Sequence, residues 1–219
     1  MRNVYLVLDT ICSVWVCVQT LHVVFWIKTV CTMAITTKVG DKGKTAILFG
    51  HMVDKAHPLL DISGTVDELN ATLGIARASV HAPGLKQDIL SIQRKLFVLG
   101  AEVATRKEDF PKLKSSISSE DVSSIEEEIE IHEKYNDIDN WFIPGEVLSS
   151  AYLEHARTIT RRLERRIWQS EHHNNHANIY LNRLSDYLWL LAQREEYYTR
   201  GIEKTSTQRE DSSTQQTIF

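Results

Sequence analysis

The sequence predicts an all-α protein, a five-helix bundle, and three observations carry the fold class. Ile89, Ile92, Leu96, Leu99 and Val103 recur at alternating spacings of three and four, which is a bundle seam. Helix breakers are few, four prolines and nine glycines in 219 residues, so periodic segments run long. Short polar or glycine-containing connectors separate those segments, as in helix bundles. The net charge of -4 argues against a dedicated nucleic-acid binder, whose footprint is strongly basic. Cys12, Cys17 and Cys31 are the three cysteines. An odd number gathered at one end is no disulfide framework and gives no sign of an oxidising compartment.

Met1–Thr32 stands apart from the rest of the chain. Val4–Val30 is rich in Val, Leu, Ile, Trp and Cys, interrupted by Asp9, Gln19, His22 and Lys28. It is long enough to span a bilayer, but Gln19, His22 and Asp9 count against that. It lacks the small-residue cleavage site of a secretory signal and the Arg- and Ser-richness of a mitochondrial leader. Met33 comes immediately after it. The expectation is a start at Met33, with residues 1–32 a non-native or dispensable extension; a membrane anchor is the second reading. Residues 33–202 then form the bundle, and the polar residues 203–219 are expected to be disordered.

Thr36–Lys55 reads T-T-K-V-G-D-K-G-K-T-A-I-L-F-G-H-M-V-D-K. Gly40 and Gly43 flank Asp41–Lys42, a tight turn whose N–H groups can converge on an anion. Lys38, Lys44 and Lys55 add positive charge. The Gly43-Lys44-Thr45 run is no P-loop, because that motif needs a glycine where Lys38 stands. An ordinary surface turn is the alternative.

The first helix is predicted from Thr65, which caps it with Glu68 three residues on, as in a capping box. Val66, Leu69, Leu73 and Ala76 mark its buried stripe. Asp67 and Asn70 lie on another face, where an acid near a helix N-terminus needs no further role. The second helix is the seam in Leu85–Thr105. Pro111 and Ser115–Ser119 make a connector, with Ser118 or Ser119 capping a third helix. That helix has a narrow stripe, Val122, Ile125 and Ile129, and belongs on the outside. Trp141-Phe142-Ile143-Pro144-Gly145 is a stiff apolar loop, read either as a core plug or as a ligand contact.

The fourth helix holds A-R-T-I-T-R-R-L-E-R-R at Ala156–Arg166. Leu148, Tyr152, Ala156, Ile159, Leu163 and Ile167 fall on one arc at about 100° per residue. Arg157, Arg161 and Arg165 form a separate row, with Glu164 beside them. An arginine fork stays protonated and binds phosphate oxygens two at a time; the competing reading is a solvated basic face. His172 and His176 have i, i+4 spacing but no third ligand, so no metal site is assigned. The last helix, Asn178–Gly201, buries Tyr180, Leu184, Tyr187, Leu188 and Leu191, with Asn182, Arg183, Ser185 and Asp186 as polar interruptions near its start.

Taken together, the chain resembles the PduO-type ATP:cob(I)alamin adenosyltransferases (corrinoid adenosyltransferases). The matching stretches are T-K-V-G-D-K-G-K-T, G-T-V-D-E-L-N at Gly64–Asn70, and F-I-P-G at Phe142–Gly145. They continue with the arginine helix and Y-L-N-R-L-S-D-Y-L-W at Tyr180–Trp189. All occur in the family's order, over Thr36–Gly201. The family's loop has a second glycine where this chain has Glu146.

The resemblance implies a five-helix bundle of the cobalamin adenosyltransferase type. It implies transfer of the 5′-deoxyadenosyl group of ATP to cob(I)alamin, releasing triphosphate and forming adenosylcobalamin. Thr37, Lys38, Val39, Gly40, Thr45 and Ala46 would wrap the nucleotide, with Lys55 adding charge. Arg157 and the run Arg161, Arg162, Leu163, Glu164, Arg165 would line the polyphosphate, and Asn182 would position the nucleotide with Glu164. Asp67 would pair with Arg157, and Phe142 would sit below the corrin to keep a lower ligand off cobalt. Mg²⁺ would share the phosphate charge. The family similarity further implies a homotrimer with sites between subunits, in the cytoplasm, with a reductase and an adenosylcobalamin-dependent acceptor enzyme as partners. Neither nucleic acid nor membrane is expected. A non-catalytic nucleotide or corrinoid carrier, an Arg-rich nucleic-acid binder and a structural bundle are the alternatives.

Overall fold

The computed structural model of the chain describes residues 6–9, 13–20, 23–30, 38–134, 136, 142–170 and 174–201. It divides into two compact units, residues 1–43 and 44–219. In the first, β1 (Leu6–Asp9), β2 (Ser13–Thr20) and β3 (Val23–Val30) form an antiparallel meander. Leu6 pairs with Val16 and Cys17 with Trp26. The apolar run long enough for a helical span is thus laid out as strands, which β-branched and aromatic residues favour. No helix among the described residues is long and apolar enough to cross a membrane. A short 3₁₀ turn, Val39–Lys42, closes this unit, and Gly43 after it takes φ 76°, a left-handed value that glycine adopts without strain.

The second unit opens with a hairpin that the all-α expectation omits. Its strands, β4 (Lys44–Ala46) and β5 (Met52–Asp54), pair antiparallel. Five helices come after it: α1 (Pro58–Ser79), α2 (Leu85–Val103), α3 (Ser119–Glu133), α4 (Leu148–Trp168) and α5 (Asn175–Arg200). The expected helix count holds. α4 packs most extensively, against α5 and α1; α2 lies on α1, and α3 lies on α5.

The start of α1 differs from expectation. It begins at Pro58, and His57 is its cap, accepting from the Leu59 N–H at 3.2 Å. A proline at the first helical position loses no hydrogen bond, and Ile62 extends the apolar stripe one turn upstream. Thr65 is therefore mid-helix and buried, its hydroxyl donating to the Asp61 carbonyl at 2.7 Å. At α3 the expected cap is resolved as Ser118, whose reciprocal partner is Asp121.

The core runs through Leu69, Leu73, Leu96, Leu99, Leu153, Ile159, Leu163, Ile167 and Leu181, all at most 1 % exposed. Each such side chain contributes about 1.5–3 kcal/mol by burial. Leu148 departs from its predicted arc: it is 68 % exposed, on the outer side of a first turn whose Ser149 and Ser150 are buried. Leu153 fills the inner position instead.

Two buried carboxylates tie the ends of α2 to the rest. Glu102 accepts from the Ile117 N–H at 2.7 Å and from Asn174 at 2.8 Å. Before the start of α2, Glu195 accepts from the His81 and Ala82 N–H groups and from Ser149 Oγ at 2.6 Å. Burial alone would raise the Glu195 carboxyl; hydrogen bonds from Ser149, Ala82 and His81 outweigh it and hold the group below its ordinary range. Since Ser149 lies in the first turn of α4, Glu195 fixes the entry of the arginine helix.

Candidate functional site

On α4 the five arginines divide by face. Arg162 and Arg166 turn toward α1. Arg162 Nη2 reaches Glu68 at 2.5 Å, and Arg166 Nε reaches Asp61 at 3.0 Å while its Nη1 donates to Thr65. These residues pair in descending register, as antiparallel helices require. Arg162 Nε is buried without an acceptor among the described residues.

Arg157, Arg161 and Arg165 occupy the other row. Arg157 Nε donates to Glu154 Oε2 at 2.9 Å. Arg161 and Arg165 are exposed and make no hydrogen bond or ion pair among the described residues. A stripe with two unpaired guanidiniums one turn apart is suited to an anion with several oxygens. Leu163 is fully buried; its side chain is core, because it lies on the opposite side of the helix from Arg161, and it does not join the charged stripe.

Glu164 and Asn182 are brought together. Asn182 Nδ2 lies 3.4 Å from Glu164 Oε1, and its Oδ1 accepts from Arg183 Nη1 at 2.8 Å. Arg183 is itself held by Glu126 at 2.9 Å. The amide of Asn182 is thus fixed from both sides, with α3, α4 and α5 contributing.

Asp67 and Arg157 are not brought together within the chain. The register that sets Glu68 against Arg162 leaves Asp67 one to two turns along the bundle from Arg157, on the outer face of α1. Asp67 is exposed and makes no ion pair among the described residues. Phe142 is half-buried against the core, while Ile143 beside it is 88 % exposed.

The hairpin carries Thr45, half-buried, and Ala46, exposed; Lys55 comes just after it and is exposed. A clamp missing from the sequence reading fixes this hairpin. Asp109, 3 % exposed, meets His51 Nε2 and Lys112 Nζ at 2.5 Å each. Lys112 Nζ also lies 5.6 Å from the centre of the Phe49 ring. The hydrogen bond from Lys112 foremost, with that from His51, holds the Asp109 carboxyl below its ordinary range despite burial. The Leu48 N–H donates to the Ala104 carbonyl. The hairpin is therefore anchored beyond the end of α2, and among the described residues no hydrogen bond joins it to the arginine row.

Lys38 is exposed with φ 58°, and Gly40 is half-exposed; Val39 opens the 3₁₀ turn. Thr37 and His172 lie outside the described residues, as do residues 203–219. Sequence reading also passed over Glu154, although its place three residues before Arg157 is the spacing of an ion pair on a helix.

A family model described as cobalamin adenosyltransferase matches residues 35–195. A corrinoid adenosyltransferase of Citrobacter freundii is 39% identical over 166 residues, covering 74% of this chain and 94% of the relative. The corrinoid adenosyltransferase PduO of the same organism is 36% identical over 169 residues, 75% of this chain. The chain spans 50% of that longer protein. Among solved structures, a phenylalanine-to-alanine variant of the PduO-type ATP:corrinoid adenosyltransferase from Lactobacillus reuteri, complexed with cobalamin and ATP, superposes with a TM-score of 0.69. It is 32% identical, and the match covers 76% of this chain and 96% of that one.

Proposed function

This chain belongs to the cobalamin adenosyltransferase family, and from that premise we propose how its own residues perform the transfer. The protein is a corrinoid adenosyltransferase, moving the 5′-deoxyadenosyl group of ATP to the cobalt of cob(I)alamin. In the reaction Co(I) attacks the 5′ carbon with its electron pair, the C–O bond to the phosphate chain breaks, and triphosphate leaves with that bond's electrons. The protein's work is then to align the two reactants and stabilise the departing anion. No general base is required.

The observation that carries this reading is the exposed, unpaired pair Arg161 and Arg165, continuing a row from Arg157. These forks would hold the triphosphate, with Arg162 at its edge. Glu164 and Asn182, already in contact, would set the nucleoside. Thr45, Ala46 and Lys55 would add contacts to the nucleotide, as the family resemblance implies. Phe142, with part of its ring open to solvent, would block the lower face of the corrin; cobalt without a lower ligand is more readily reduced to the nucleophile.

Asp67 supports a site shared between copies. An exposed carboxylate without a partner among the described residues is free to meet Arg157 of a neighbouring copy in a homotrimer. Mg²⁺ enters as the companion of the ATP phosphates. Among the described residues no cluster of three or more His, Cys, Asp or Glu could cage a metal, and no step of the transfer is routed through it. A cytoplasmic setting, a reductase that supplies Co(I) and an acceptor enzyme for the product complete the proposal.

The test is to mix the purified chain with ATP, Mg²⁺ and chemically reduced cobalamin. A light-sensitive adenosylated product is expected, and folded protein that gives none would sink the reading. Phe142→Ala should lose more activity starting from cob(II)alamin than from cob(I)alamin; equal losses would remove the proposed role of the ring.

A further inference from the structure

The stripe of α4 that carries the arginine row begins with a carboxylate. At about 100° per residue, Glu154, Arg157, Arg161 and Arg165 fall within roughly 80° of one another. Burial lessens along it: Glu154 is 7 % exposed, the Arg157 side chain 27%, and Arg161 and Arg165 are open to solvent. A carboxylate so deep is costly unless it has good partners. Glu154 has one, the Nε–H of Arg157 at 2.9 Å, while its Oε1 is buried with no partner among the described residues.

The choice of donor matters. A guanidinium offers Nε–H along one edge and two Nη groups at its end. With Nε taken by Glu154, the Nη groups stay available, and they make no hydrogen bond among the described residues. A long side chain held in this way gives up less freedom when it meets an anion.

We propose that Glu154 is a positioning residue for the transfer, a buried carboxylate that grips Arg157 by Nε and turns its Nη groups outward. The role rests on the proposed assignment of Arg157 to the site. Glu154 itself touches Arg157 and no reacting atom.

The experiment uses the full chain with Glu154→Ala, Glu154→Gln, Arg157→Ala and the double variant Glu154→Ala/Arg157→Ala. Thermal melting is followed beside kcat and the KM for ATP, with chemically reduced cobalamin as acceptor. Glu154→Ala should lower kcat on the order of 10- to 100-fold and move KM less. Glu154→Gln keeps an acceptor oxygen in the same place and should recover most of the loss. In the Arg157→Ala background, Glu154→Ala should cost nothing more. Full turnover by folded Glu154→Ala, no recovery with Gln, or the same loss repeated without Arg157 would each overturn the role. If the alanine variant does not fold, Glu154→Leu, which fills the space without an acceptor, carries the same test. An inactive wild type, or a fully active Arg157→Ala, defeats the functional reading and this inference together. An impaired Arg157→Ala beside a normal Glu154→Ala defeats the inference alone.

Discussion

At the scale of single residues, the arginines of α4 differ in what they already hold. Arg162 and Arg166 have partners on α1, so their removal acts on the α1–α4 seam as well as on any ligand. Arg161 has no partner to lose among the described residues, so its removal should be felt in the chemistry and hardly in the fold. Arg161→Ala is expected to lower kcat by about 10²–10³, the scale for deleting one donor to a developing charge. Its melting temperature should stay within a degree or two of wild type, since surface substitutions cost about 0.5 kcal/mol or less. Steady-state turnover with ATP and reduced cobalamin, measured beside a thermal melt, checks both halves, and unchanged turnover would remove Arg161 from the phosphate wall.

At the scale of elements, the entry of α4 depends on a contact remote in sequence. Glu195 on α5 accepts from Ser149 in the first turn of α4 and from the two backbone N–H groups of His81 and Ala82. Glu195→Gln would replace one acceptor oxygen with an amide that faces those donors, costing about 3 kcal/mol at neutral pH. The folded carboxyl lies below its ordinary range. Its contribution is therefore complete above the unfolded value of about 4.3 and is lost as pH falls through the lower folded one. Melting curves from pH 7 to pH 3 should show the gap between wild type and Glu195→Gln narrowing only below about pH 4. A gap independent of pH would mean that the charge of Glu195 is not what holds the helix entry.

At the scale of the whole molecule, the proposal that the site is completed between copies can be tested directly. Asp67 stands exposed on α1 without a partner among the described residues, while Arg157 keeps its Nη groups unengaged. If the pair forms between copies, Asp67→Ala and Arg157→Ala should each be nearly inactive alone. When the two variants are mixed during assembly, about one quarter of head-to-tail interfaces should carry both intact residues. Activity should return toward that fraction, read from turnover of the co-refolded mixture. No return, in a mixture shown by mass to contain mixed assemblies, would place both residues in one chain's own site.

Periodicity was enough to read five helices and most of their buried stripes, because the 3.6-residue repeat is written in local spacing. It misplaced the start of α1, where Thr65 and Glu68 imitate a cap but sit inside a helix begun at Pro58. The hairpin β4–β5 was missed because three-residue strands carry little pattern of their own. Its anchor, Asp109 with His51 and Lys112, joins His51 to a partner 58 residues on.

By itself, the sequence determined the fold class, the arginine row and the family resemblance, since ordered motifs and helical spacing are properties of the chain in one dimension. Only the tertiary structure decided which arginines are held and which are open, because burial and partnership depend on helix register. It set Glu164 against Asn182 and kept Asp67 apart from Arg157 among the described residues. It also placed Glu154 beneath Arg157, a buried charge that spacing permits but only packing can require.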